Sequence, residues 1–237
     1  VMANSHDGAL DDKGEPIIIM KRVRGTSWST LIHEPWHSYW ANTTERHLKS
    51  HLGILRHVCQ ALEYAHSKGI LHRDLKTDNV MVGDYGEVYL LDWGVAVELN
   101  DKGEFQASHF VGTPCFAAPE MFSASIPLTV RTDVYLLGAI LHELLTRKVR
   151  HEGLLFEEVM DKVRRSEPYE YFPDVHPNLA SIANKSTAQR PQLRFESVQQ
   201  FREAIEHHLE HYQAIELLEK TTQLLAELTT LVGLNET

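Results

Sequence analysis

The run His72-Arg73-Asp74-Leu75-Lys76-Thr77-Asp78-Asn79, followed by Asp92-Trp93-Gly94, constrains this chain more than any other feature. Between them lie two apolar runs, Val80-Met81-Val82 and Val88-Tyr89-Leu90-Leu91, joined by the turn-rich Gly83-Asp84-Tyr85-Gly86-Glu87. That pattern predicts a β-hairpin. The midpoint of Asn79 and Asp92 falls inside the turn, so the hairpin is expected to set these two side by side at its open end. An amide oxygen and a carboxylate placed together suit a hard, oxygen-seeking cation such as Mg²⁺. Asp74 lies in the loop entering the hairpin, within reach of the same space, and Lys76 adds a cation beside it.

These residue types in this order fit phosphoryl transfer, in which a protein mainly positions reactants and neutralises charge. Asp74 is expected to orient an attacking hydroxyl and accept its proton. Asn79 and Asp92 are expected to hold the metal at the nucleotide phosphates, and Lys76 to stabilise the transferring group. The five fixed residues of His-Arg-Asp-x-Lys-x-x-Asn should arise by accident in only about one chain in ten thousand of this length.

The run resembles the catalytic loop of the eukaryotic-type protein kinase family, and Asp92-Trp93-Gly94 resembles that family's metal-binding Asp-Phe-Gly with one aromatic exchanged. Further matches follow in the family's order. Gly112-Thr113-Pro114-Cys115-Phe116-Ala117-Ala118-Pro119-Glu120 resembles the end of an activation segment. Asp133-Val134-Tyr135-Leu136-Leu137-Gly138 resembles the buried helix whose aspartate holds the catalytic loop. Arg190-Pro191 resembles the late arginine that pairs with the glutamate of Ala-Pro-Glu, here Glu120. The resemblance places Met20 at the gatekeeper position, Lys21 to Val23 where hinge backbone bonds adenine, and Met81 under the adenine ring. It runs roughly from Pro16 to His208 and looks most like bacterial members.

The resemblance implies an α+β fold, mainly the α-helical C-terminal lobe with a remnant of the N-terminal β-sheet, and it implies ATP and Mg²⁺ as cofactors. Residues 1–24 would be the N-lobe remnant with the hinge, 25–208 the C-lobe, and 209–237 an amphipathic C-terminal helix. The Ala-Pro-Glu segment favours a protein substrate over a small molecule, and Lys76 with Thr113 is the serine/threonine pattern. Thr113 is expected to bridge Asp74 and Lys76. Arg73 beside Asp74 implies control by activation-loop phosphorylation through an Arg–phosphate pair. Between Gly94 and Gly112 the sole hydroxyl-bearing side chain is Ser108, the expected phosphosite.

No G-x-G-x-x-G occurs, and no Val-Ala-Ile-Lys-like strand precedes the hinge. The chain therefore reads as a fragment or a truncation of a catalytic design, since Asp74, Asn79 and Asp92 are intact, and efficient catalysis by it alone is not expected. A partner or missing segment would complete the N-lobe. The rival reading is a non-catalytic, kinase-like scaffold that binds a partner through its lobe or tail.

Secondary signals are weaker. From about Leu48 to Ser67 the apolar residues keep helical spacing, with Gly69 beyond as a C-cap. A second apolar helix is expected from about Thr132 to Leu145. The tail from Val198 to Val232 carries Leu217, Leu224, Leu228 and Leu231 at heptad-like intervals, so packing on the lobe or dimerisation are its expected uses. His33-Glu34-Pro35-Trp36-His37 has the form of a zinc-protease motif, but Pro35 interrupts the helix that such a motif needs. His207, His208 and His211 read as a solvated helix face. A net charge of −10 argues against nucleic-acid binding. The longest apolar stretch, around Val134 to Leu141, is too short to span a bilayer, and no export signal opens the chain. With only Cys59 and Cys115, a cytoplasmic protein without disulfides is expected.

Overall fold

A computed structural model describes residues 6–10, 16–19, 22–42, 47–211 and 221. Strands β1 (His6–Leu10) and β2 (Pro16–Ile19) pair antiparallel, with Ala9 opposite Ile17. Met20 and Lys21, assigned to the gatekeeper and hinge, lie outside the described residues, as do the tail leucines Leu217, Leu224, Leu228 and Leu231.

Strand β3 (Thr26–Ser27) leads into the short helix α1 (Trp28–His33), whose N-terminus is capped by the Ser27 hydroxyl accepting from the Thr30 amide. Helix α1 stops two residues before Pro35, so His33 and His37 do not share a helical face. Helix α2 (His47–Ser67) buries Leu52, Leu55, Val58, Cys59, Leu62 and Ala65, one stripe at helical spacing. Strand β4 (Ile70–Leu71) then pairs with β7 (Val97–Glu98), bracketing the hairpin of β5 (Val80–Val82) and β6 (Val88–Leu90). Strand β3 pairs with the outer edge of β5, setting Ser27 opposite Met81.

Helix α3 (Val130–Thr146) is the centre of the lobe. Every residue from Thr132 to Leu144 is buried, the signature of a helix packed on all sides. A reciprocal cap starts it: the Thr129 hydroxyl accepts from the Arg131 amide while the Thr129 amide donates to the Thr132 hydroxyl. Helix α5 (Pro177–Ser186) packs on it, helix α4 (Phe156–Arg165) packs against the turns at Pro114–Phe116 and Pro119–Phe122, and α6 follows over 198–211. In α6 the buried stripe is Val198, Phe201, Ile205 and His208. The solvated-face reading therefore holds for His207 and His211 but is corrected for His208, which continues the apolar stripe and meets the His176 ring at 4.7 Å.

Contact between α3 and α5 depends on Gly138. A Cβ there would lie 2.4 Å from Ser186 Cβ and 3.0 Å from Thr187 Cγ2. Gly138→Ala is expected to destabilise the fold by about 2 kcal/mol despite its better helix propensity, because the two helices cannot separate without opening the core. A urea titration of the variant beside wild type checks it. Among the described residues no helix is long and apolar enough to cross a membrane.

Candidate active site

The hairpin brings the loop residues to one edge of the lobe. Val80 pairs with Leu90 and Val82 with Val88, so the turn is centred on Tyr85. Asn79 consequently faces Leu91, whose amide donates to the Asn79 carbonyl at 2.8 Å, and Asp92 lies one residue further on. Asn79 and Asp92 thus both stand at the open end of the hairpin, offset by a single step of register. Asp92 then turns back through a left-handed conformation (φ 59°), unusual for a residue with a side chain.

Asp74, Lys76, Asn79 and Thr113 come together as one hydrogen-bonded group. The Thr113 hydroxyl donates to Asp74 Oδ1 at 2.7 Å and accepts from Lys76 Nζ at 2.9 Å. Lys76 Nζ also lies 3.4 Å from Asp74 Oδ2. The Asn79 amide donates to the Asp74 carbonyl at 2.9 Å and to Asp74 Oδ2 at 3.4 Å. Its Nδ2 donors are thus committed inward, leaving its oxygen for a ligand. Asp74 and Asn79 are nearly buried, whereas Asp92 is exposed. Asn79 Oδ1 and the Asp92 carboxylate are hard oxygen donors of the kind that Mg²⁺ takes, and they are the residues that could hold it.

A second layer holds this group in place. Arg73 is also left-handed (φ 70°), and its amide and that of His72 donate to the two oxygens of the fully buried Asp133 at 3.0 and 2.9 Å. Asp133 thereby clamps the strained peptide just before Asp74. His66 Nε2 completes the clamp at 2.7 Å. The His72 ring accepts from the Asp74 amide at Nδ1, lies 3.2 Å from the Leu91 carbonyl at Nε2, and packs on Trp93 at 4.5 Å. One imidazole thus joins the catalytic loop to Asp92-Trp93-Gly94. Burial lowers its pKa, in keeping with a neutral ring that donates at one nitrogen and accepts at the other.

Burial alone would raise the Asp133 pKa, but the His66 bond and charge, with the bond from the His72 amide, together bring it below the ordinary 3.8. A depressed carboxylate contributes stability that is full above its unfolded value and lost as pH falls through the folded one. Asp133→Asn is therefore expected to lower the urea midpoint near pH 7, with the gap closing as the pH falls below about 4.

The sequence pattern of the protein kinase domain family matches residues 6–211. The chain belongs to the protein kinase family. The serine/threonine-protein kinase PknD of Chlamydia trachomatis serovar D is 32% identical over 221 residues, covering 81% of this chain and 23% of that protein. PknD of Protochlamydia amoebophila is 37% identical over 178 residues, covering 65% of this chain and 18% of that protein. The chain thus spans about a quarter or less of the length of these relatives. A small N-lobe sheet with a helical C-lobe is the fold of this kinase domain, as its sequence implies.

In this kinase domain one assignment from sequence is overturned. Glu120 is paired by Arg194, not Arg190. Two parallel bonds of 2.6 and 2.8 Å join the fork of the guanidinium to the carboxylate, with both side chains buried. Arg190 is exposed. Proline after an arginine drew attention to the wrong residue; the better signal is that Arg194 directly precedes Phe195, where buried spacing resumes with Val198 and Phe201. Sequence reasoning also missed Glu143, buried in α3, which accepts from the catalytic-loop Thr77 hydroxyl at 3.0 Å and meets His33 at 3.2 Å. Arg73 donates to the Val95 carbonyl and lies over Phe105, while the exposed Ser108 hydroxyl meets His109. Among the described residues no contact joins Arg73 to Ser108. Val23 and Met81 are half-buried, and Met81 lies opposite Ser27 across β3 and β5.

Proposed function

We propose that this chain is the catalytic lobe of a serine/threonine protein kinase, transferring the γ-phosphoryl group of ATP to a protein hydroxyl. The observation that carries the reading is Thr113 Oγ1 held between Asp74 and Lys76, which ties the peptide-facing segment to the aspartate that would take the proton. Asp74 keeps Oδ2 toward Lys76 and Asn79, so the carboxylate is oriented before substrate arrives. Lys76 places a cation where charge on the transferring group would gather. Asn79 and Asp92 would hold Mg²⁺, which when bound neutralises phosphate charge. Met81 and the backbone at Val23 would meet the adenine, with Met20 and Lys21 completing that side. The name of the PknD relatives supports serine and threonine as acceptors.

Residues 1–24, 25–208 and 209–237 are proposed as N-lobe remnant with hinge, C-lobe and C-terminal helix. Ser108 is proposed as an autophosphorylation site on account of its exposure. The test is phosphotransfer from labelled ATP with Mg²⁺ to a generic protein substrate, beside Asp74→Asn. Transfer that disappears in the variant supports the reading; transfer that persists unchanged in the variant overturns it, and none by wild type marks the chain as either a lobe awaiting its N-terminal partner segment or a non-catalytic scaffold.

A further inference from the structure

The segment from Val95 to Gly112, which joins Asp92-Trp93-Gly94 to Thr113, is fixed at several points by neutral contacts. Val97 and Glu98 pair with Leu71 and Ile70, and the Leu99 amide donates to the Gly69 carbonyl at 2.7 Å. Asn100 closes a tight turn. Its side-chain oxygen accepts from the amides of Lys102 and Glu104, and its own amide donates to the Glu104 carbonyl at 2.9 Å. Phe105 and Leu128 exchange two backbone bonds of 2.9 Å each. Beyond Ser108 the Phe110 ring stacks on Phe122 at 4.0 Å. Both sides of Ser108 are thus anchored by contacts that need no phosphate.

Phe105 also reaches the catalytic loop. Its ring lies over the Arg73 guanidinium at 5.1 Å, while Arg73 Nε donates to the Val95 carbonyl at 2.7 Å. Arg73 is buried, and a cation over an aromatic face is held more strongly when it is desolvated. The Arg73 amide is clamped by Asp133, and the next residue is Asp74. The far end of the same segment returns to the same place. Gly112 passes close to the Arg73 carbonyl, and Thr113 bonds Asp74. Ser108 is exposed and its hydroxyl meets His109; among the described residues no contact joins it to a lysine or an arginine. A phosphate orders a segment by gaining such a cation, and here the Arg73 cation is already covered by a ring.

We infer that Phe105 is a positioning residue for phosphoryl transfer: its ring, seated on Arg73, holds the segment that carries Thr113 in its working place without a phosphate on Ser108. The role in transfer rests on the kinase reading; the ordering of the segment does not. Phosphorylation of Ser108, where it occurs, then adds no step that transfer requires.

Amide hydrogen exchange of the full chain after phosphatase treatment, followed by mass spectrometry, reads the ordering without ATP or turnover. Phosphate-free wild type is expected to protect the amides of Leu99, Asn100, Gly103 and Phe105, all of which donate to backbone carbonyls. Phe105→Ala should speed their exchange at least tenfold while the amides of α3 keep their wild-type rates, which separates loosening of the segment from unfolding of the lobe. Phe105→Tyr keeps the ring face and should restore the protection; Phe105→Leu keeps only apolar bulk and should not. In phosphotransfer, kcat of Phe105→Ala should fall at least tenfold with KM for ATP within about twofold, and Ser108→Ala should match wild type. Free exchange of the segment in phosphate-free wild type would overturn the ordering. Protection in Phe105→Leu equal to that of wild type would overturn the part played by the ring on Arg73. An unchanged kcat in Phe105→Ala would overturn the positioning role. Absence of transfer by wild type touches the kinase reading alone, and the exchange pattern still decides for or against the ring.

Discussion

Asp74→Asn is expected to lower kcat for phosphoryl transfer by about 10³-fold, within the range that a positioned general base contributes. The change is nearly isosteric, so the Thr113 hydroxyl can still donate to the amide oxygen at the Oδ1 position. What is lost is the acceptor for the substrate proton and the negative charge that Lys76 and Asn79 now face. Asp74 does not belong to the adenine side of the site, so KM for ATP should change by less than about threefold while kcat collapses. Thermal unfolding measured in parallel should place the variant within about 2 °C of wild type, because a near-isosteric change that keeps its partners alters stability little. A large fall in melting temperature together with kcat would turn the loss into one of folding, and the catalytic role of Asp74 would have to be withdrawn.

Arg194→Ala is expected to be the most damaging single substitution for stability. It removes both bonds to Glu120 and leaves that carboxylate buried without its cation. Breaking a buried pair from one side costs about 3–5 kcal/mol, mostly the desolvated charge left behind. Arg194 also donates to the carbonyls of Ala188, Gln189 and Arg131 and lies 4.6 Å over the Tyr135 ring, so three segments lose their common anchor. For a domain of this size the loss corresponds to a fall of roughly 10 °C in melting temperature. Arg194→Lys should recover only a minor part, because an ammonium cannot reproduce the two-pronged geometry. Arg190→Ala is the control. That exposed side chain should cost less than about 0.5 kcal/mol. If the two effects are reversed, the Glu120 pairing in the structure is wrong and the pairing read from Arg190-Pro191 is restored.

These two residues illustrate what a linear reading can reach. Asp74, Lys76 and Asn79 are close in sequence, and the loop and hairpin that hold them are built from local turn and strand signals; their proximity follows from chain geometry alone. Thr113 is a different matter. Its position beside Asp74 was inferred by resemblance, and the contact itself requires Gly112 to pass the loop so closely that a Cβ there would lie 2.9 Å from the Arg73 carbonyl. The Arg194–Glu120 pair spans 74 residues, and the arginine read from Arg190-Pro191 lies four residues before the one that makes it. Only the burial of one of them decides.

The sequence by itself determined the family, the α2 and α3 helices and the hairpin, because each is written in short-range periodicity or in chemically constrained residue types. Tertiary structure alone decided the hairpin register that offsets Asp92 from Asn79, the burial of His208 on the inner stripe of α6, and the clamp of Asp133 on the strained Arg73 amide. It also laid the Phe105 ring over Arg73, two residues far apart along the chain. Such features depend on which charges and strands face each other across the core, and distance in space between them is not encoded by distance along the chain.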